Sequence, residues 1–154
     1  MSYQLDKKDL EILQELQRDS RRTNKELAQA VNLSTTPTFE RVKRLEREGY
    51  IKKYTAVLDA DKLNRGFIAF CYLKLKQHTY ENAIRIMQAV QQVPEIAECY
   101  NISGDHDFLL KIYARDMKDY QKFVLRILGD LDCIGSLNSS FVLGETKNDH
   151  SLPL

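Results

Sequence analysis

The residues with chemistry to offer fall into three groups. Arg41, Lys43, Arg44 and Arg47 stand close together, with Lys52 and Lys53 just beyond. Cations crowded on one helix neutralise phosphates, so the chemistry they suggest is binding of a polyanion. A merely solvated helix face is the plainer alternative. Asp105, His106 and Asp107 form a second group. Carboxylates flanking an imidazole are an acid–base set in type, but neighbours at the start of a strand point to opposite faces. No further His cluster supports them, since His78, His106 and His150 are scattered, and His78 and His150 read as surface residues. The third group is Cys71, Cys99 and Cys133, an odd number, widely spaced and set among apolar residues. They read as reduced thiols without disulfide or zinc spacing. Neither catalysis, a metal nor a cofactor is expected.

The basic group must sit on an element that presents it. Asp6 caps a first helix, with Asp9 at its third position near the positive helix end, and Leu5 and Leu10 are spaced as a hydrophobic staple. Ile12, Leu13 and Leu16 continue its apolar stripe. Thr23 and Glu26 form a capping box that opens a short helix to about Val31. Asn32 suits a left-handed C-terminal position. Ser34 caps a third helix that ends near Glu48, before Gly49. Two helices joined by a three-residue turn make a helix-turn-helix, whose second helix packs by one face and enters the DNA major groove by the other. At 100° per residue, Thr38, Phe39, Val42 and Leu45 form the packing side. Thr36, Pro37, Glu40, Arg44 and Arg47 form the opposite side, with Arg41 and Lys43 at its edges.

From Gly66 onward the period changes. Residues 66–76 read as a strand, 79–92 as a helix, 96–102 and 108–114 as strands, a helix capped by Asp116 follows, and 134–143 are the last strand. Ser103, Gly104 and Asp105 supply a turn. The order βαββαβ is the ferredoxin-like pattern. Phe67 to Tyr72 is apolar on both alternations, as in a strand covered on both faces.

The chain has 154 residues, 43% hydrophobic and 29% charged, with a net charge of +1. That suits one ordinary domain or two small ones. The total hides an asymmetry, net +3 over residues 1–66 and −2 over 67–154. A mean hydropathy of −0.46 and the lack of a long apolar run speak against a membrane span, and the N-terminus has no apolar signal region.

Residues 34–51, STTPTFERVKRLEREGYI, resemble the recognition helix of the Lrp/AsnC (feast/famine) regulators, most closely the leucine-responsive members. Residues 54–59 resemble that family's linker strand, and residues 103–110, SGDHDFLL, its effector-domain signature. The resemblance spans roughly residues 5–147. It implies an α+β fold with four segments. These are a helix-turn-helix (winged-helix-like) domain at 1–52, a linker strand and turn at 53–66, a βαββαβ ligand-binding and oligomerisation domain at 67–147, and a frayed tail at 148–154. It also implies double-stranded DNA as a partner, an amino-acid effector, a homodimer that assembles to an octamer, and a cytoplasmic, nucleoid-associated location. DNA contacts are expected at Thr36, Pro37, Glu40, Arg41, Lys43, Arg44 and Arg47. Effector contacts are expected at Tyr100, Gly104, Asp105, His106, Asp107, Ser136 and Ser139, with Asn138 nearby. Asp105 or Asp107 would accept from the effector ammonium, and amides at the Gly104 turn would donate to its carboxylate. The variable turn position, often aromatic in the family, is His106. Two last-strand positions that carry threonines in the closest relatives correspond to Leu137 and Ser139. A ligand-independent architectural DNA-binding protein of the same fold is the alternative.

Overall fold

The computed structural model describes residues 3–154, the side chain of Ile127 excepted. It divides into two compact units: the residues through Val57 together with Lys147–Leu154, and Leu58–Thr146.

The first unit holds α1 (Lys7–Arg18), α2 (Asn24–Ala30) and α3 (Thr35–Arg47). The caps expected at Asp6 and Thr23 form, whereas Ser34, at the N-terminal cap position of α3, makes no side-chain capping hydrogen bond. Asp6 accepts from the Asp9 amide while Asp9 accepts from the Asp6 amide, and Thr23 and Glu26 do the same for α2. Two orphan amides are satisfied reciprocally at each start. Asn32 takes φ +53° and Gly49 φ +79°, so both helix exits use the left-handed region. Ile12, Leu27, Val31, Val42 and Leu45 form the core. Phe39, expected on the packing side of α3, is instead 44% exposed and lies outside that core. Its position follows the helix period: Phe39 is turned 100° from Thr38, which is fully buried. The tail, expected to fray, lies along α1. Gln14 Nε2 donates to the Leu154 carbonyl at 2.9 Å, and Gln17 exchanges two hydrogen bonds with Leu152.

Residues 54–59, expected as a linker strand, are not one; turn residues follow at 60–64. A strand exists by its ladder, and among the described residues the sheet contains only the four later strands. Tyr54 is nonetheless anchored, its hydroxyl donating to Glu46 at 3.0 Å.

The second unit contains β1 (Phe67–Leu75), α4 (Tyr80–Gln91), β2 (Ile96–Asn101), β3 (Phe108–Ala114), α5 (Met117–Phe123) and β4 (Ile134–Phe141). The strands pair antiparallel in the order β2-β3-β1-β4. A π-helical turn, Val124–Leu128, prolongs α5. One sheet face is sealed by the helices: Ala69, Cys71, Leu73, Phe108, Leu110 and Ile112 are buried with Ile86 and Phe123. The other alternation (Ile68, Phe70, Tyr72, Leu109, Lys111, Tyr113) is only half-buried.

Candidate nucleic-acid interface and effector site

On α3 the expected DNA-binding residues divide in two. Thr36, Glu40, Lys43 and Arg47 are exposed, three or four residues apart, so they share one face with Phe39. Pro37 is half-buried at its edge. Lys43 and Arg47 keep 58% and 72% of their side-chain surface open. Their ion pairs with Glu46 and Glu48 are surface pairs, worth little and easily exchanged for phosphate.

Arg41 and Arg44 turn the other way. Arg41 Nη1 lies 2.6 Å from Asp6 and 2.7 Å from Asp9, and Arg44 Nη2 lies 3.3 Å from Asp9. The Arg44 guanidinium also stacks over the Tyr3 ring at 4.2 Å. Asp9 is fully buried and takes a further hydrogen bond from the Tyr3 hydroxyl. Burial alone would raise the Asp9 carboxyl, but the Tyr3 hydroxyl, the Asp6 amide and Arg41 outweigh it and hold it below its ordinary value. Two of the four expected DNA-facing arginines and lysines therefore fasten α3 to α1. Sequence spacing placed Asp9 as a cap residue; that the same carboxylate receives two arginines about thirty residues away had no local signal.

In the second unit, the turn residues come together around β3. Gly104 takes φ +118°, a conformation L side chains rarely adopt. Asp105 is exposed beside it. His106 reaches across the half-buried sheet face: its Nε2 is 2.9 Å from Asn138 Nδ2, and its ring lies 5.4 Å from that of Tyr72. Tyr72 and Asn138 are cross-strand partners, which explains the cluster. Ser136 shares the Asn138 alternation and is exposed.

Three expected effector residues are otherwise engaged. Asp107 accepts from the Leu75 amide at 2.7 Å and lies 3.0 Å from His78, so its carboxylate pins the end of β1. Ser139 points to the opposite sheet face, where its hydroxyl lies 2.5 Å from that of Tyr120, beside Cys71. Leu137, on the same alternation, packs against the core. The reason is the strand period: residues 137 and 139 cannot share a face with 136 and 138. Burial pushes the Cys71 thiol up to about 11 and the Tyr120 hydroxyl to about 12. Tyr100, half-exposed on β2, donates its hydroxyl to Glu98 at 2.8 Å. Tyr72 was missed by sequence reading because an aromatic in a strand reads as packing.

Residues 5–52 match the model of winged helix-turn-helix DNA-binding domains, and residues 68–152 match that of the Lrp/AsnC ligand binding domain. The chain belongs to the Lrp/AsnC family. The leucine-responsive regulatory protein of Klebsiella pneumoniae is 39% identical over 148 residues, covering 96% of this chain and 90% of that protein. The DNA-binding transcriptional activator DecR of Escherichia coli K12 is 35% identical over 150 residues, covering 97% and 99%. Among solved structures, a Neisseria meningitidis transcriptional regulator in complex with L-Met superposes with a TM-score of 0.93 at 36% identity, covering 97% of each chain. An AsnC family regulator from Agrobacterium tumefaciens gives 0.92 at 34%, also with 97% of each chain covered.

Proposed function

We propose that this chain is a DNA-binding transcriptional regulator of the Lrp/AsnC type that senses a small amino acid and works as a homodimer, assembling further to an octamer, on the nucleoid in the cytoplasm. The observation that carries the DNA reading is the open stripe of α3: Thr36, Glu40, Lys43 and Arg47 free toward solvent while its back packs into a core. Lys43 and Arg47 supply the attraction to phosphate. Arg41 and Arg44 set the angle of α3 from behind and contribute charge at a distance.

For the effector, the cluster of Gly104, Asp105, His106 and Asn138 supports a zwitterion. Asp105 accepts from its ammonium, turn amides donate to its carboxylate, and the imidazole and Asn138 offer further hydrogen bonds. The methionine complex of the meningococcal relative makes an apolar amino acid the first to try. With few polar contacts, affinity in the micromolar to millimolar range is expected. Calorimetry with the twenty common amino acids, on wild type and on Asp105→Ala, tests this. Binding lost in the variant supports the site, and binding that persists moves it elsewhere. No binding of any amino acid favours the architectural alternative, which the engagement of Asp107 and Ser139 in the fold also favours.

A further inference from the structure

Phe39 is the largest apolar side chain on the open face of α3. It sits in the helix's second turn, three residues from Thr36 and four from Lys43, 44% exposed and outside the core of its unit. The Lys43 ammonium stands 5.8 Å above its ring. The ring thus keeps much of its surface open in the middle of a polar stripe. It has no donor and no acceptor, so it cannot read the hydrogen-bonding edge of guanine, cytosine or adenine. In the major groove one base offers a carbon group instead, the C5-methyl of thymine.

We propose that Phe39 is a specificity-determining residue that reads a thymine methyl group in the major groove. The proposal rests on the DNA-binding reading above and deepens it: Lys43 and Arg47 hold phosphates for any sequence, whereas Phe39 selects one base. The Lys43 ammonium over the ring keeps a cation close to Phe39, so the base read by Phe39 lies next to a cation contact. Removing the methyl costs about 0.8 kcal/mol, the worth of one buried methyl-sized group, or roughly four-fold in Kd.

The experiment uses the full-length protein and a duplex selected by it from a random pool. Each thymine of the selected site is replaced in turn by uracil, which deletes only the C5-methyl. Wild type is expected to lose about four-fold at one thymine per half-site and nothing at the others. Phe39→Ala should bind the thymine duplex about four-fold more weakly and be indifferent to uracil at that position. Its log–log salt slope should not change, since no charge moves. A thermal melt confirms that the variant folds, and the uracil scan on wild type needs no variant. Indifference of wild type to uracil at every position, a selected site without thymine, or equal uracil sensitivity in Phe39→Ala would overturn the proposal. Failure to enrich any duplex would overturn the DNA-binding reading itself, and the proposal with it.

Discussion

Asp9 has no contact with solvent, yet it stays ionised because Tyr3, the Asp6 amide, Arg41 and Arg44 surround it. Removing one partner of such a cluster leaves the others buried with unmatched charge. Asp9→Ala should destabilise the protein by about 2–3 kcal/mol, less than a fully buried pair would, because Arg41 and Arg44 remain 25% and 33% exposed. The pH dependence follows from the lowered carboxyl of Asp9. Its contribution is complete above the unfolded value of about 3.9 and is lost as pH falls through the lower folded value. Urea unfolding of wild type and Asp9→Asn should show a constant gap from pH 7 to 5 that narrows below pH ~4. A gap unchanged at pH 3 would show that the charge of Asp9 contributes nothing. Composition alone gave no warning of this, since an acidic residue in a first helical turn is ordinarily a surface group near the helix dipole.

At the scale of elements, α3 has two faces with separable effects. Arg47→Ala should reduce the salt slope of DNA binding by about 1, with little effect on stability. Arg41→Ala should instead lower the melting temperature and change the salt slope less, because its guanidinium is bound to Asp6 and Asp9. Equal slope changes in the two variants would return Arg41 to the interface. On β4 the period of two separates Asn138 from Ser139. Ser139→Ala should cost about 1 kcal/mol of stability through the Tyr120 hydrogen bond and leave amino-acid affinity unchanged. Gly104→Ala should strain the turn by about 1–3 kcal/mol at φ +118°. These elements were largely legible in the sequence, since Asp6, Thr23 and Asn32 act through their own backbone neighbours, and such local rules need no tertiary information. The site was less legible. Which alternation of β4 faces His106 depends on register with β1, and which cations of α3 reach solvent depends on acids carried by α1. The π-helical turn at 124–128 also had no sequence signal, because its extra residue per turn leaves the apolar spacing nearly helical.

For the whole molecule, the half-buried sheet face is where the proposed homodimer would form. Ile68, Phe70, Tyr72, Leu109 and Tyr113 share one alternation of β1 and β3 with Lys111, which is paired to Glu98, turned away from the helices. A largely apolar face of this kind is a liability on a free monomer and a resource for self-association. In the homodimer proposed above, a second copy related by a two-fold axis, the commonest oligomer symmetry, would cover it with the same residues. Two DNA-binding units brought together by such an axis call for a roughly palindromic operator. Leu109 is the informative position, because its side chain is directed outward and its cross-strand partners are Tyr72 and Tyr100, neither of them cationic. Leu109→Glu would bury a carboxylate from each copy in the same interface, while the core alternation of β3 (Phe108, Leu110 and Ile112) stays untouched. The dimer should weaken by a factor on the order of 100 or more, corresponding to about 3 kcal/mol. Light scattering at micromolar concentration should then find wild type as a dimer or larger and the variant shifted to monomer. The melting curve of the variant should still show a cooperative transition. Its affinity for a two-half-site operator should fall toward that of a single half-site, because each head must then bind independently. A stable wild-type monomer at that concentration would remove the basis for a palindromic operator.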